Sequence, residues 1–194
     1  MIAALLAAAA VSSPPYSPSV VDDEVPALRA LGPQPAGATA FTATAGRPFY
    51  SLRLAHGLWD TMDVAVGFDY SPDGVYRPAI ETRVRAFRAG PTQLVARFLL
   101  ARAFTTALGM TDTNDGEIAL QFAVAPVPRA ALFVEGSLLG TTDFSHERTA
   151  GFAQGVFGLA IALPAGVSLL GSIGILQGER GHRTVGSSGA SVRF

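Results

Sequence analysis

The sequence predicts an all-β fold, namely a closed antiparallel up-and-down transmembrane β-barrel of ten strands. Three observations support this prediction. The chain is strongly apolar without a long apolar run, apolar and polar residues alternate from residue 38 onward, and the connecting segments are long on one side and short on the other. Eight strands is the alternative, if the weakly apolar first segment and its partner are not strands.

The composition excludes several classes of protein. Of 194 residues, 49% are hydrophobic and only 15% are charged, against about 25% charged residues in a soluble domain. The net charge of -1 offers no basic surface for nucleic acid. The absence of cysteine excludes disulfides, thiolate metal sites and cysteine nucleophiles. The longest apolar run, residues 1–11, has about half of the ~20 residues that a transmembrane helix needs.

The N-terminal region predicts export. The apolar residues 1–7 and the small residues 8–10 are typical of a signal peptide, here residues 1–11; a buried N-terminal helix is the alternative. Residues 12–36 contain six prolines and three consecutive acidic residues, which predicts a disordered Pro-rich periplasmic linker with at most one helical turn near residues 27–31. The barrel is predicted to span residues 37–194.

Alternation and turn residues define the predicted strands. They are residues 38–45, 48–57, 62–70, 75–88, 92–104, 117–125, 129–140, 150–163, 166–177 and 183–194. Several are long enough for a tilted strand to cross a bilayer. Counted from the first strand, the longer polar loops fall on one side and the tight turns on the other, as in outer-membrane barrels.

A secreted or periplasmic β-sandwich or a lipocalin-like binding protein is the competing interpretation. A sandwich needs an amply charged outer face, whereas here even the polar faces are largely Gly, Ala and Ser. If lipid covers the aliphatic faces instead, the sheet must close, because unpaired peptide groups in hydrocarbon cost several kcal/mol each.

The last eight residues resemble the terminal strand signal of bacterial outer-membrane proteins. Gly189, Val192 and Phe194 occupy its glycine, hydrophobic and terminal aromatic positions. The resemblance implies recognition by the barrel-assembly machinery, contact with outer-membrane lipid and a location in the bacterial outer membrane. Residues 55–64 and the final hairpin also resemble the meta-pathway phenol-degradation barrel family, but this chain is shorter and no substrate is inferred.

The polar faces of the predicted strands supply a candidate lumen network. Its members are Arg53, Asp69, Arg77, Glu81, Arg83, Arg85, Arg97, Gln121 and Glu135. These charges either pair to plug the lumen, or leave an excess of arginine that selects small anions. The interior of an eight- to ten-stranded barrel is little wider than side chains can fill, which favours the plug.

Aromatic residues near strand ends predict contact with the two membrane interfaces. They are Tyr50, Trp59, Tyr70 and Tyr76.

Chemistry-bearing residues are few and lie in predicted outer loops. Residues 143–147 and His182 supply the residue types of a hydrolase, but no oxyanion loop is recognisable, so a rim enzyme is only the third interpretation and we expect no enzyme. Two histidines are too few for a metal site. Residues 111–117 resemble calcium loops without the EF-hand spacing, so a solvated turn is expected. The sequence therefore predicts a structural or narrow-channel barrel without cofactor or metal, which small solutes could enter.

Overall fold

The computed structural model describes residues 25–106, 111–143, 148–179 and 181–194. The predicted signal peptide and the linker up to residue 24 lie outside the described residues. The described part contains one helix and ten strands: α1 (Pro26–Leu31), β1 (Thr39–Arg47), β2 (Tyr50–Trp59), β3 (Met62–Ser71), β4 (Val75–Ala89), β5 (Thr92–Thr105), β6 (Thr113–Val127), β7 (Ala130–Asp143), β8 (Arg148–Ala162), β9 (Val167–Gly178) and β10 (Gly181–Arg193). A short 3-10 turn at Pro164–Gly166 joins β8 to β9.

The ten strands form one closed antiparallel barrel, as predicted. Each strand pairs with its neighbours in the chain, and β1 pairs with β10 to close the sheet. This seam runs from Ala40 opposite Arg193 to Arg47 opposite Gly186. The ten-strand prediction is thus confirmed, including the weakly apolar first strand, and a two-sheet sandwich is excluded. Closure leaves no strand edge with unpaired peptide groups.

The two faces of the sheet have opposite character. Large apolar side chains point outward, and Leu100 and Leu138 are 71% and 69% exposed. Inward positions carry small or charged side chains, among them the almost fully buried Ala65, Ala119 and Ala131. An apolar exterior around a polar interior is the arrangement that a barrel in lipid requires.

Strand alternation breaks at Ala86. The register passes from Arg85 opposite Val95 to Phe87 opposite Leu94, which leaves Ala86 as an extra residue. Unbroken alternation along β4 would place Phe87 on the same face as Arg83 and Arg85. A bulge shifts the pattern by one residue, so Phe87 points outward and is 52% exposed.

Residues 25–36 of the predicted linker lie inside the barrel, and α1 forms the helical turn that was expected near residues 27–31. α1 begins with Pro26, which suits a proline in the first turn, and is followed by Gly32, where the backbone is extended. Its buried face, made of Ala27, Leu28 and Leu31, packs against alanines of β6, β7 and β8 and against Phe133. Ala27 and Leu31 are four residues apart and so lie on the same side of α1. Packing inside the lumen removes this apolar side from water.

Hydrogen bonds fix both ends of this segment. The amide of Ala27 donates to the carbonyl of Pro128 at 3.2 Å. The side-chain amide of Gln93 donates to the carbonyl of Leu28 at 2.8 Å. After α1, the amide of Gln34 donates to Asp63 Oδ2 at 2.8 Å. The segment is therefore tied to the barrel wall along its whole described length before β1.

Gly57 permits the closest approach of this segment to β2. The carbonyl of Pro35 occupies the space that a Cβ at residue 57 would take. The amide of Gly37 donates to the carbonyl of Gly57 at 2.9 Å. Any larger side chain at residue 57 must push residues 34–36 away from the wall.

We expect Gly57→Ala to destabilise the barrel by about 1–3 kcal/mol, because the added methyl group overlaps the Pro35 carbonyl. Gly136→Ala is the matched control, since a Cβ there meets open space on the outer face. Urea unfolding of both variants in detergent micelles measures the difference. Equal stabilities of the two variants would contradict this account of Gly57.

Candidate lumen site

The middle of the lumen holds a cluster of charged side chains that we call the lumen network. Its members are Arg53, Asp63, Asp69, Arg77, Glu81, Arg83, Arg97, Asp115, Glu117, Gln121 and Glu135. They alternate along β2 to β7 with the outward apolar residues. Strand register, not sequence proximity, brings them together.

The outermost part of the network centres on Asp69. Its carboxylate lies 2.6 Å from Arg53 Nη2 and 3.2 Å from Arg77 Nη1. Nε of Arg77 lies 2.8 Å from Asp115 Oδ2. Because the Arg77 and Asp69 side chains are only 6% and 2% exposed, each charge depends on its partner for solvation.

Two further groups form the middle of the network. Arg97 Nη2 donates to Glu117 at 2.8 Å and to Glu135 at 2.7 Å. The side-chain amide of Gln121 donates to the other oxygen of Glu135 at 3.3 Å. Nε and Nη2 of Arg83 donate to the two oxygens of Asp63, which is the bidentate geometry that a guanidinium favours.

Glu81 lies between these groups with a different geometry. Its carboxylate oxygens are 3.7 Å from Arg53, 3.8 Å from Arg83 and 3.9 Å from Arg97. These distances are ion-pair contacts but too long for hydrogen bonds. Three guanidinium groups thus surround a carboxylate that none of them reaches directly.

All nine residues of the sequence-predicted network face the lumen. Eight of them interlock as described above, and Arg85 lies nearer the periplasmic end, where it donates to the carbonyl of Asp60 at 3.2 Å. Sequence reasoning missed Asp63, Asp115 and Glu117. Asp63 shares its strand face with Asp69, a signal that could have identified it.

Asp115 was missed because β6 begins at Thr113, four residues earlier than predicted. Glu117 opens the predicted strand but was assigned to the polar turn that precedes it. Both are inward-facing strand residues and not members of a solvated turn. Within the described residues, no group of His, Asp and Glu is arranged to hold a metal.

These carboxylates also correct the charge balance. In the lumen network together with Arg85, the arginines 53, 77, 83, 85 and 97 face six carboxylates, those of residues 63, 69, 81, 115, 117 and 135. This group has no excess of positive charge; Arg29 and Arg193 lie apart from it, in a gap beside α1.

At the level of the network, the opposite wall of the lumen is uncharged. It presents Thr44, Ser51, Gln154, Ser172 and Ser187, and the two serine hydroxyls of β9 and β10 lie 3.0 Å apart. Between the two walls lies a cavity of about 300 Å³, which also contacts Ala30 and Leu31 of α1. We call this space the lumen cavity.

The predicted interface aromatics lie at opposite ends of the barrel. Ring centroids are 6.4 Å apart for Tyr50 and Tyr70 and 5.3 Å apart for Tyr70 and Tyr76, so a row of tyrosines crosses three strands. Trp59 lies at the other end of β2 and is 61% exposed. Aromatic residues on both sides of an apolar band are typical of membrane barrels, which agrees with the predicted outer-membrane location.

No helix within the described ranges has the length and hydropathy to cross a membrane.

The residues of the predicted insertion signal all lie at the barrel seam. Gly189 faces Thr44 of β1, and the carbonyl of Ala43 occupies the space of its missing Cβ. Val192 pairs with Phe41. The amide of Phe194 donates to the carbonyl of Thr39 at 2.9 Å, and its side chain is 74% exposed.

The rim residues considered for catalysis are only partly described. Residues 144–147, with Ser145 and His146, lie outside the described ranges. Asp143 is buried and accepts a hydrogen bond from Thr111 Oγ1 at 2.6 Å. His182 is exposed near the start of β10.

Comparison with solved structures finds outer-membrane proteins of low sequence identity. OmpTdeltaL8, a loop deletion mutant of the Vibrio cholerae outer membrane protein OmpT, is 9% identical with a TM-score of 0.46, covering 75% of this chain and 53% of that one. Outer-membrane expressed OmpT of the same organism is 8% identical with a TM-score of 0.44, covering 78% and 56%. The outer membrane protein Omp33 of Acinetobacter baumannii is 9% identical with a TM-score of 0.37, covering 81% and 97%.

The chain spans little more than half the length of the two OmpT structures. No protein-family model matches the sequence, and no curated protein matches it significantly. The resemblance to the meta-pathway barrels therefore gains no support from a family match. The strand pairing of the chain itself defines a small closed barrel of the outer-membrane type.

We expect Arg97→Ala to lower the free energy of unfolding by about 3 kcal/mol, because Glu117 and Glu135 lose the cation that solvates them. Arg102→Ala is the control: Arg102 is an exposed residue of the same strand, and we expect a change within about 0.5 kcal/mol. Urea unfolding in lipid vesicles, followed by the fluorescence of Trp59, measures both. An Arg97→Ala barrel as stable as the parent would refute a structural role for the network.

Proposed function

We propose that this protein is an outer-membrane barrel of the structural or narrow-channel type, whose lumen is plugged by two elements of its own chain. The first element is α1 and the second is the lumen network. The observation that supports this most directly is the position of Leu28, which is 0% exposed although it precedes the first strand.

α1 obstructs the periplasmic half of the lumen. Its apolar face covers the wall formed by β6, β7 and β8. On its other side a gap of about 190 Å³ remains, lined by Arg29 of α1 and by Ser168, Ser191 and Arg193 of the last two strands. This gap offers a solute a path past α1.

The lumen network obstructs the next layer. Its charges are paired with each other from β2 to β7, so a passing ion meets arginine–carboxylate pairs instead of a field of one sign. An ion-selective pore needs a lining that binds the ion and releases it. Paired charges in a narrow barrel are therefore better suited to block the passage of ions than to conduct them.

A narrow channel is the second candidate. The lumen cavity and the gap beside α1 both contact Ala30, so a small movement of this helix joins them. A lipocalin-like binder is disfavoured, because such barrels keep a polar exterior, whereas here the large apolar residues face outward.

The plug predicts low conductance of the parent protein in planar lipid bilayers. We expect Leu28→Asp to open larger and more frequent channels, since a carboxylate cannot remain against an alanine-lined wall without a partner. Thr61→Asp, an exposed residue in the turn between β2 and β3, adds the same charge outside the lumen and should leave conductance low. A parent protein that conducts as freely as the Leu28→Asp variant would overturn the plug.

We also propose that the residues at the seam serve as a signal for the barrel-assembly machinery. Removal of Phe194 should reduce the amount of protein in outer-membrane fractions severalfold, while the purified chain still folds in detergent with a heat-modifiable gel mobility. A matched deletion within the exposed turn at Pro164–Gly166 tests whether any shortening has this effect. Normal membrane levels without Phe194 would rule the signal out.

A further inference from the structure

We propose that the lumen cavity binds a small neutral polyhydroxy solute of about monosaccharide size. The inference rests on the proposed function, because α1 forms the periplasmic floor of the cavity. It assigns a class of ligand to the lumen cavity, which a plugged barrel does not need.

The cavity has the size and mixed surface of a ligand pocket. Its volume of about 300 Å³ lies at the lower end of the range for small-molecule sites. One wall is charged, the other carries hydroxyl and amide groups, and Leu31, Phe133 and Leu170 add apolar surface. Sugars present hydroxyl groups at their edges, which match the polar walls, and C–H groups on their faces, which match the apolar residues.

Glu81 supplies the main argument for hydroxyl groups. Its carboxylate lies 3.7–3.9 Å from three guanidinium groups, and polar groups at such distances are commonly bridged by an intervening oxygen. A hydroxyl group can accept from a guanidinium and donate to a carboxylate at the same time. An ammonium group can only donate and a carboxylate can only accept, so neither bridges such a pair.

Gln121 adds a second group that lacks a partner. Its side-chain nitrogen donates to Glu135, while its oxygen is buried and has no hydrogen-bond partner among the described residues. A buried acceptor without a donor is costly. Gln121 contributes to the cavity wall, and a rotation of its side chain would bring this oxygen within reach of a hydroxyl donor of a bound solute.

The existing ion pairs disfavour charged ligands. Three arginines and two glutamates line the cavity, and each arginine already contacts a carboxylate of the network, so an anion must compete with those carboxylates. A cation must compete with arginines that already contact the carboxylates. A neutral solute leaves every ion pair intact and pays no cost of burying a net charge.

Isothermal titration calorimetry of the full chain in detergent micelles tests the inference, with D-glucose and myo-inositol as probes and inorganic phosphate as the charged comparison. We expect saturable binding of at least one polyol and none of phosphate. Ser187→Leu should abolish binding, because this side chain faces the cavity. Ser188→Leu is the matched control, since Ser188 is exposed and the next residue in a strand faces the other side.

A second pair keeps the test decisive if Ser187→Leu does not fold. Glu81→Gln should weaken polyol binding about tenfold, the effect of losing one charged hydrogen bond, while Glu179→Gln in the outer loop should not. Absence of saturation with both polyols, or binding that Ser187→Leu and Glu81→Gln leave unchanged, would overturn the inference. The plug is tested separately, by the conductance of the parent protein, so failure of the ligand inference does not refute the plug.

Discussion

The rest of the structure depends on backbone pairing without a free edge. In hydrocarbon every peptide group needs a protein partner, so β1 and β10 must meet closely enough to complete the sheet. Glycines make this approach feasible: the carbonyl of Gly186 fills the Cβ space of Gly46, and that of Ala43 fills the Cβ space of Gly189. The low side-chain bulk that makes β1 weak as a predicted strand is thus what the seam requires.

The closed sheet in turn decides how the interior is filled. Ten strands enclose too little space for bulk water and too much for the small inward residues alone. The chain fills the outer and middle levels with paired charges and the periplasmic level with α1. Alanines at positions 123, 131 and 160 are fully buried, because the helix, and not their own side chains, occupies the lumen beside them.

Asp63 contacts both the lumen network and the segment that contains α1. Its carboxylate pairs with Arg83 of the network and also accepts the amide hydrogen of Gln34 from the segment after α1. The same buried group therefore orients an arginine in the middle of the lumen and holds the N-terminal segment at its base. A change that separates Asp63 from Arg83 should therefore also disturb the segment that follows α1.

The sequence by itself determined the closed ten-stranded barrel and the inward direction of nine network residues, because alternation is local and every strand displays it. Tertiary structure alone decided the insertion of α1, the bulge at Ala86 and the partners of each arginine. A six-residue helix is too short for its apolar periodicity to show where it packs. One extra residue in a strand can be recognised only from its pairing with the adjacent strand. Ion pairs such as Arg97 with Glu135 depend on the register between strands, which no single segment of the sequence contains.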